Sequence, residues 1–284
     1  MYRRCVWLIQ LAMRAWMCTI PANASDAVRT LDIPFESRGV KLAGSLVLPS
    51  SGKIHAGLVF VHGSGPQTRN LHLAERFARD GIAALVYDKR GVGKSGGEYE
   101  GKQSVSGMNV SLLADDAASA LKALAAHPAL KDVPVGISGI SQAGWIAPLA
   151  AEKSGVARFI VLWSAPVCKV SEEDIYSKFT SDADGPAVPS YRVALESRKE
   201  KYIWPDFLGV DTDPSDALRK MSIPGLWIFG GNDGSIPVDL SIARLQSLRM
   251  AGQRYDYVLF SGQAHNNMDV TFATATDWIK RASK

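Results

Sequence analysis

The stretch VPVGISGISQAGWIAPLAA, residues 133–151, decides the fold. It reads as a buried strand, one serine, Ser141, on a glycine-flanked turn, and then a helix. A hydroxyl is a poor nucleophile until a base takes its proton. A tight strand-to-helix turn exposes Oγ above the sheet and aims the first helical N–H groups at an oxygen that becomes negative. Packing such a turn requires small residues two places to either side; Gly139 and Ala143 supply them, and Gly144 adds room. The pattern is GxSxA followed by Gly, a departure from GxSxG. The plain alternative is an ordinary loop with a capping serine. Ser138 is the weaker serine, since it lies inside the apolar run and no small residue stands two places after it.

A serine nucleophile needs a base, and the base needs an orienting carboxylate. In a parallel open sheet these arrive on loops at the carboxyl ends of successive strands. IPGLWIFGGNDGSIPV, residues 223–238, is a short apolar strand (226–229) emptying into a glycine-rich turn with Asp233. YDYVLFSGQAHNN, residues 255–267, is a strand ending at Phe260, then a Gly262 turn, then His265. An Asp in such a turn commonly bonds its own backbone, and a lone loop His is commonly solvated. The joint order Ser, Asp, His favours the catalytic reading. Upstream, GLVFVHGSGP, residues 57–66, is a buried strand running into glycines that let backbone amides approach a substrate oxygen. The N–H groups of Ser64 and Gln142 are the candidate oxyanion hole. His62 is expected to be structural, bonding the loop beneath the site, because it precedes the nucleophile and no acid-bearing strand end follows it suitably.

With HGSGP at 62–66, YDKRGVGKSGG at 87–97, GISQAG at 139–144, GGNDGSIPV at 230–238 and GQAH at 262–265, the chain resembles α/β-hydrolases of the esterase, dienelactone-hydrolase and prolyl-oligopeptidase-like group. The resemblance runs from about residue 31 to the end. It implies an α/β-hydrolase fold and a serine hydrolase that cleaves carboxylic esters through an acyl-enzyme intermediate. Peptidase, aminoacyl hydrolase, thioesterase, lactonase or acyltransferase activity would use the same elements. Esters are preferred because no additional large gating domain is visible; a binding protein on a hydrolase scaffold would be expected to lack a triad member.

The coarse pattern agrees. A hairpin is expected over Phe35 to Pro49 around a Gly44 turn. Strands follow at 57–61, 82–87, 133–137 and 157–163, with helices at 71–79, about 111–126 and 143–153. The α/β sheet should be mostly parallel with helices on both faces. Residues 168–221 break the alternation and are expected to form a small helical lid insertion. There Tyr191, Tyr202, Trp204 and Phe207 either line an acyl pocket or pack the lid's own core. Trp145 and Trp163 are the substrate-binding candidates, and both could equally be core. GVGKSG, residues 91–96, matches GxGxxG and superficially a phosphate loop, but a phosphate loop would need glycine where Asp88 stands and a dinucleotide site a helix opening at once; it reads as a turn braced by ion pairing of Asp88 with Arg90.

With 284 residues and 46% hydrophobic content, the chain can bury one large core. Arg3 and Arg4, an apolar stretch from Cys5 to Ile20, and Ala22-Asn23-Ala24 read as a signal peptide over 1–24, giving a hydrolase domain of 25–284 and a secreted or periplasmic location. A mistaken upstream start, with a cytoplasmic protein, is the rival. Without residues 1–24, which hold three arginines and no acid, the formal charge falls from +4 to +1, leaving no basic surface for nucleic acid. Cys168 is then alone, so no internal disulfide is expected. No metal-ligand cluster is visible, no cofactor is implied, and the leader is too short and interrupted for a stable membrane span. The expected partner is a small-molecule ester or a short acyl or peptidyl substrate.

Overall fold

The computed structural model describes residues 28–284. The expected leader, 1–24, lies outside the described residues. The strands are β1 (Val28–Asp32), β2 (Phe35–Ser37), β3 (Val40–Leu42), β4 (Gly44–Pro49), β5 (Ala56–Val61), β6 (Ile82–Tyr87), β7 (Val135–Ile140), β8 (Ile160–Trp163), β9 (Gly225–Gly230) and β10 (Tyr255–Phe260). The helices are α1 (Leu71–Arg79), α2 (Gly107–Ala125), α3 (Ala143–Ser154), α4 (Val170–Thr180), α5 (Tyr191–Glu196), α6 (Ser215–Lys220), α7 (Val238–Met250) and α8 (Met268–Ala282).

Eight strands form one sheet in the order β1-β4-β6-β5-β7-β8-β9-β10. β4 is antiparallel to β1 and β6, and every pair from β6 to β10 is parallel. The central strands read as unbroken apolar runs because both faces are covered. One face, with Val59, Leu85, Ile137, Leu162 and Trp227, packs under α2, α3 and α7; the other, with Leu58, Val86, Val161, Trp163 and Ile228, packs under α1 and α8. Alternate residues of each strand serve opposite cores, so a one-residue slip would exchange them all.

Local chemistry sets the helix ends. Asn70 caps α1 by accepting the Leu73 N–H at 3.0 Å, and Gly81, at φ +78°, turns the chain into β6. α2 starts four residues earlier than the apolar pattern suggested, because Ser106 accepts the Asn109 N–H and caps it there.

The expected hairpin around Gly44 is corrected. The chain reverses at Arg38 and Gly39, both with positive φ, joining β2 to β3 as a separate two-stranded ribbon. Gly44 instead opens β4, where a Cβ would stand 2.6 Å from the Ile33 carbonyl oxygen. β4 pairs with β1, an edge strand whose half-polar VRTLD gives little apolar signal.

The chain goes from β5 to β6 on one side, then crosses back to β7 on the other side of β5. The loops after β5 and β7 therefore leave the sheet at a topological switch point, where open α/β sheets form a crevice. Between β8 and β9 stand α4, α5 and α6, with a small cluster of Ile175, Tyr176 and Ala194 against which Tyr191 and Tyr202 pack. Trp204 packs on the main core, and Phe207 is exposed. No helix among the described residues is long and apolar enough to cross a membrane.

Candidate active site

Ser141 sits between β7 and α3 at φ +56°, a left-handed conformation that a serine adopts at a cost of about 1–3 kcal/mol. Its N–H donates to the Trp163 carbonyl at 3.1 Å and its carbonyl accepts from the Gly144 N–H at 2.8 Å. The small neighbours are required by space. A Cβ on Gly139 would meet the Ala143 Cβ at 2.5 Å, and one on Gly144 would meet Pro166 at 2.6 Å.

Asp233 is fully buried in the turn after β9. Its Oδ1 accepts the N–H groups of Ser235 and Ile236 at 2.9 and 3.1 Å. The expected turn-forming bonds are therefore present. The same carboxylate faces His265 Nδ1 at 2.9 Å from Oδ2 and 3.0 Å from Oδ1. With Nδ1–H donated there, Nε2 is left to accept a proton. Burial works to lower the His265 pKa, but the hydrogen bond and charge of Asp233, followed by Asp184 and Asp182, outweigh it, so the net shift is upward.

The structure brings Asp233 and His265 into contact and sets Ser141 at the end of β7, which β8 separates from β9, the strand leading into Asp233. No hydrogen bond joins Ser141 Oγ to the His265 ring among the described residues, and catalytic contacts of this kind commonly tighten only around substrate. The candidate oxyanion loop lies against the serine, since a Cβ on Gly63 would stand 3.5 Å from the Ser141 Cβ. Neither the Ser64 nor the Gln142 N–H is donated to a protein acceptor among the described residues. Both are free for a substrate oxygen.

Four residues that the sequence reading did not single out hold this frame. Ser164 donates its hydroxyl to the His265 carbonyl, and Asn267 Nδ2 donates to Ser164 Oγ and to the Ala264 carbonyl. Asp184, from the segment after α4, accepts the N–H of Gly234 at 2.9 Å and of His265 at 3.3 Å. It thereby ties the acid turn to the histidine turn. Lys89 donates to the carbonyls of Gly63 and Gly65 in the loop after β5. Ser164, Asn267 and Lys89 have position as their only sequence signal, one or two residues from a strand end or a site residue, and Asp184, in the segment after α4, has none.

Three expectations are corrected. Trp145 and Trp163 do not line a substrate pocket: both are core side chains whose indole N–H groups donate to the Cys168 carbonyl at 2.8 Å and Thr271 Oγ1 at 2.9 Å. Asp88 and Arg90 do not pair with each other. Asp88 binds Arg69 at 3.1 Å and accepts the Lys94 N–H, while Arg90 reaches the opposite way to the buried Asp116 on α2. His62 makes no side-chain hydrogen bond to its loop among the described residues. It is buried with its ring edge-on to Tyr87, 5.0 Å between centroids, and burial with the nearby Lys89 charge lowers its pKa to about 4.

No group of His, Cys, Asp or Glu side chains suited to a metal ion stands among the described residues. A cavity of about 340 Å³ opens beside the site, with Phe60, Val86, Leu73, Ile140 and Met268 on its walls and Arg76 at its edge.

The sequence pattern of the family described as serine aminopeptidase, S33, matches residues 52–223. That span holds the loop of residues 62–66 and Ser141. Polyketide transferase claH of Penicillium crustosum is 33% identical over 104 residues, covering 37% of this chain; the match spans about a third (32%) of that protein's length. Among solved structures, an esterase of Pyrococcus furiosus superposes with a TM-score of 0.64 at 16% identity, covering 95% of this chain and 94% of that one. Acetyl xylan esterase 1 of Thermoanaerobacterium sp. JW/SL YS485 gives 0.64 at 13% identity over 92% of both chains. Acylaminoacyl peptidase of Pyrococcus horikoshii gives 0.61 at 19% identity, covering 85% of this chain and 38% of that one. The strand order, the serine at its turn and the matched family pattern agree: the chain belongs to the serine aminopeptidase S33 family of α/β-hydrolases.

Proposed function

We propose that the protein is a serine hydrolase that cleaves carboxylic esters through an acyl-enzyme intermediate. The observation that carries this reading is the buried Asp233 carboxylate bonded to His265 Nδ1, with Ser141 held at positive φ at the same, carboxyl end of the parallel strands. His265 Nε2 takes the Ser141 proton as Oγ attacks the carbonyl carbon. The N–H groups of Ser64 and Gln142 hold the oxygen that gains the charge. Asp233 stabilises the imidazolium, which then gives its proton to the leaving alkoxide. Water, deprotonated by the same nitrogen, attacks the acyl carbon, and Ser141 leaves with its proton restored.

Ester substrates are favoured by the extent of the structural likenesses. The two esterases match over more than nine-tenths of both chains, whereas the acylaminoacyl peptidase is matched over 38% of its own length. Aminoacyl substrates form a second reading, favoured by the carboxyl groups of Glu173, Asp182 and Asp184 near Asp233 and His265. Burial pushes the Glu173 carboxyl up to about 8, with the charges of Asp182, Asp174 and Asp233 adding to it. The charges of Asp182 and Asp184 would suit a cationic amine, whose arrival would favour loss of the Glu173 proton. Transfer to an alcohol or amine in place of water is the third outcome, in keeping with the name of the Penicillium relative.

A panel of p-nitrophenyl esters of graded acyl length, run beside aminoacyl p-nitroanilides with and without an added alcohol, separates the three. Ester turnover exceeding anilide turnover, and lost in Ser141→Ala, is the expected result. Turnover of anilides alone would overturn the ester assignment.

A further inference from the structure

Lys89 is the second residue after β6, and 4% of it is exposed. Its ammonium donates three hydrogen bonds, to the carbonyls of Gly63 at 2.8 Å and Gly65 at 3.0 Å and to Gln142 Oε1 at 3.0 Å. The first two acceptors bracket Ser64, and the third belongs to Gln142. These are the two residues whose N–H groups are free for a substrate oxygen. Three protons meet three acceptors, so the side chain is saturated only when charged.

No carboxylate lies within 4.0 Å of this nitrogen among the described residues. Around it stand the neutral His62 from the end of β5 and Arg90, whose charge is matched by Asp116. Glu98, Tyr99 and Glu100 share a water-sized cavity with Lys89, Ser104 and Gln142. Burying an ammonium without a counterion is costly, and an apolar side chain would fill the same space at lower cost. A buried cation kept on such terms beside a reactive centre marks a functional role.

We propose that Lys89 is the positioning residue of the oxyanion hole, holding the Ser64 and Gln142 N–H groups in one frame while it carries all three protons and releasing them when it loses one. This rests on the reading of Ser141 as nucleophile with those two N–H groups as its oxyanion donors. An uncharged amine has two donors and a lone pair, so one of the three acceptors must be turned away. The glycine-flanked loop carrying Ser64, with Gly65 at φ +85°, then loosens against α3. Burial draws the Lys89 pKa down to about 8, which brings this release into the ordinary range of an assay.

The test is the pH dependence of kcat in the full chain with Lys89→Met and Lys89→Arg variants. Wild-type kcat is expected to fall on the alkaline side with a midpoint near 8. Lys89→Met should lower kcat about 10- to 100-fold, somewhat less than the removal of an oxyanion donor, with KM held within about threefold. It should also lose the alkaline fall and weaken inhibition by a trifluoromethyl ketone, whose hemiketal oxygen occupies the hole, by the same factor as kcat. Lys89→Arg, charged beyond about pH 12, should recover part of kcat and keep it to about pH 10. Unchanged kcat in Lys89→Met, or an alkaline fall left where wild type has it, overturns the proposal. If Lys89→Met does not fold, a wild-type profile flat to about pH 10, or one that Lys89→Arg leaves unmoved, does the same. Fluorophosphonate labelling run alongside keeps the two claims apart. Labelling of Ser141 with an unmoved alkaline edge rejects Lys89 alone, whereas no labelling of Ser141 rejects the catalytic reading itself.

Discussion

Ser164 and His265 are joined by a hydrogen bond from the Ser164 hydroxyl to the His265 backbone carbonyl, while Trp163, the preceding residue, accepts the N–H of Ser141. The loops carrying the candidate nucleophile and its base are thus tied to consecutive residues at the end of β8. Because they share an anchor, their separation is set by one strand end rather than by two independent loops.

Ser164→Ala removes that anchor and leaves the His265 carbonyl and Asn267 Nδ2 each short of a partner. Each keeps one other partner, the Asn267 N–H and the Ala264 carbonyl, so the cost is that of the lost hydrogen bonds, about 0.5–1.5 kcal/mol each, and the histidine turn gains freedom. The expected result is a lower Tm together with a kcat reduced about tenfold or more at little change in KM, since misplacement acts on the reacting geometry. Thermal unfolding and steady-state kinetics on one preparation check both.

On the proposed mechanism the acid edge of activity belongs to His265. Its pKa lies above 6.5 and its neutral form is the base, so kcat/KM should rise with pH through a midpoint above 6.5. Asp184 contributes to that upward shift through its charge. Asp184→Asn keeps an acceptor oxygen but loses the charge, and the midpoint should move to lower pH. A midpoint moving upward would contradict this.

His62 makes the fold acid-sensitive. Its folded-state pKa of about 4 lies below the unfolded value of 6.5, so the unfolded chain takes up a proton that the native chain refuses. Stability is full above about pH 6.5 and is lost as pH falls toward 4, by an amount of order 3 kcal/mol at 1.36 kcal/mol per pKa unit. Urea denaturation between these pH values should show the slope, and His62→Asn, at a lower starting stability, should flatten it.

Gly139→Ala tests the turn. The added methyl meets the Ala143 Cβ at 2.5 Å and the Val61 carbonyl oxygen at 2.7 Å, both on packed elements. Overpacking of this kind costs about 1–3 kcal/mol. A fall in Tm with a loss of activity is expected, read by calorimetry and ester turnover. Unchanged values would show that β7 and α3 can separate freely.

The central strands and the turns carrying Ser141, Asp233 and His265 were legible in the sequence, because an apolar run covered on both faces and ending in glycines has few other readings. α1 was read to the residue, since Gly81 ends its pattern. β1 was not, for an exposed edge strand keeps polar residues at the positions that would carry its period. The partners of Asp88 and Arg90 were beyond reach for a different reason. Side chains two apart in the chain can diverge onto α2 and the loop before α1, and spacing alone does not say which element each will meet. The same holds for Lys89. Its neighbours lie 24 to 53 residues away along the chain, so its role follows from packing and not from a motif.

The most direct test of the central claim is the mapping of a fluorophosphonate adduct by mass spectrometry on the native protein and on Ser141→Ala and His265→Ala. The account predicts one adduct, on Ser141, absent in the first variant and formed far more slowly in the second. An adduct on another residue, or labelling that persists in Ser141→Ala, would contradict it.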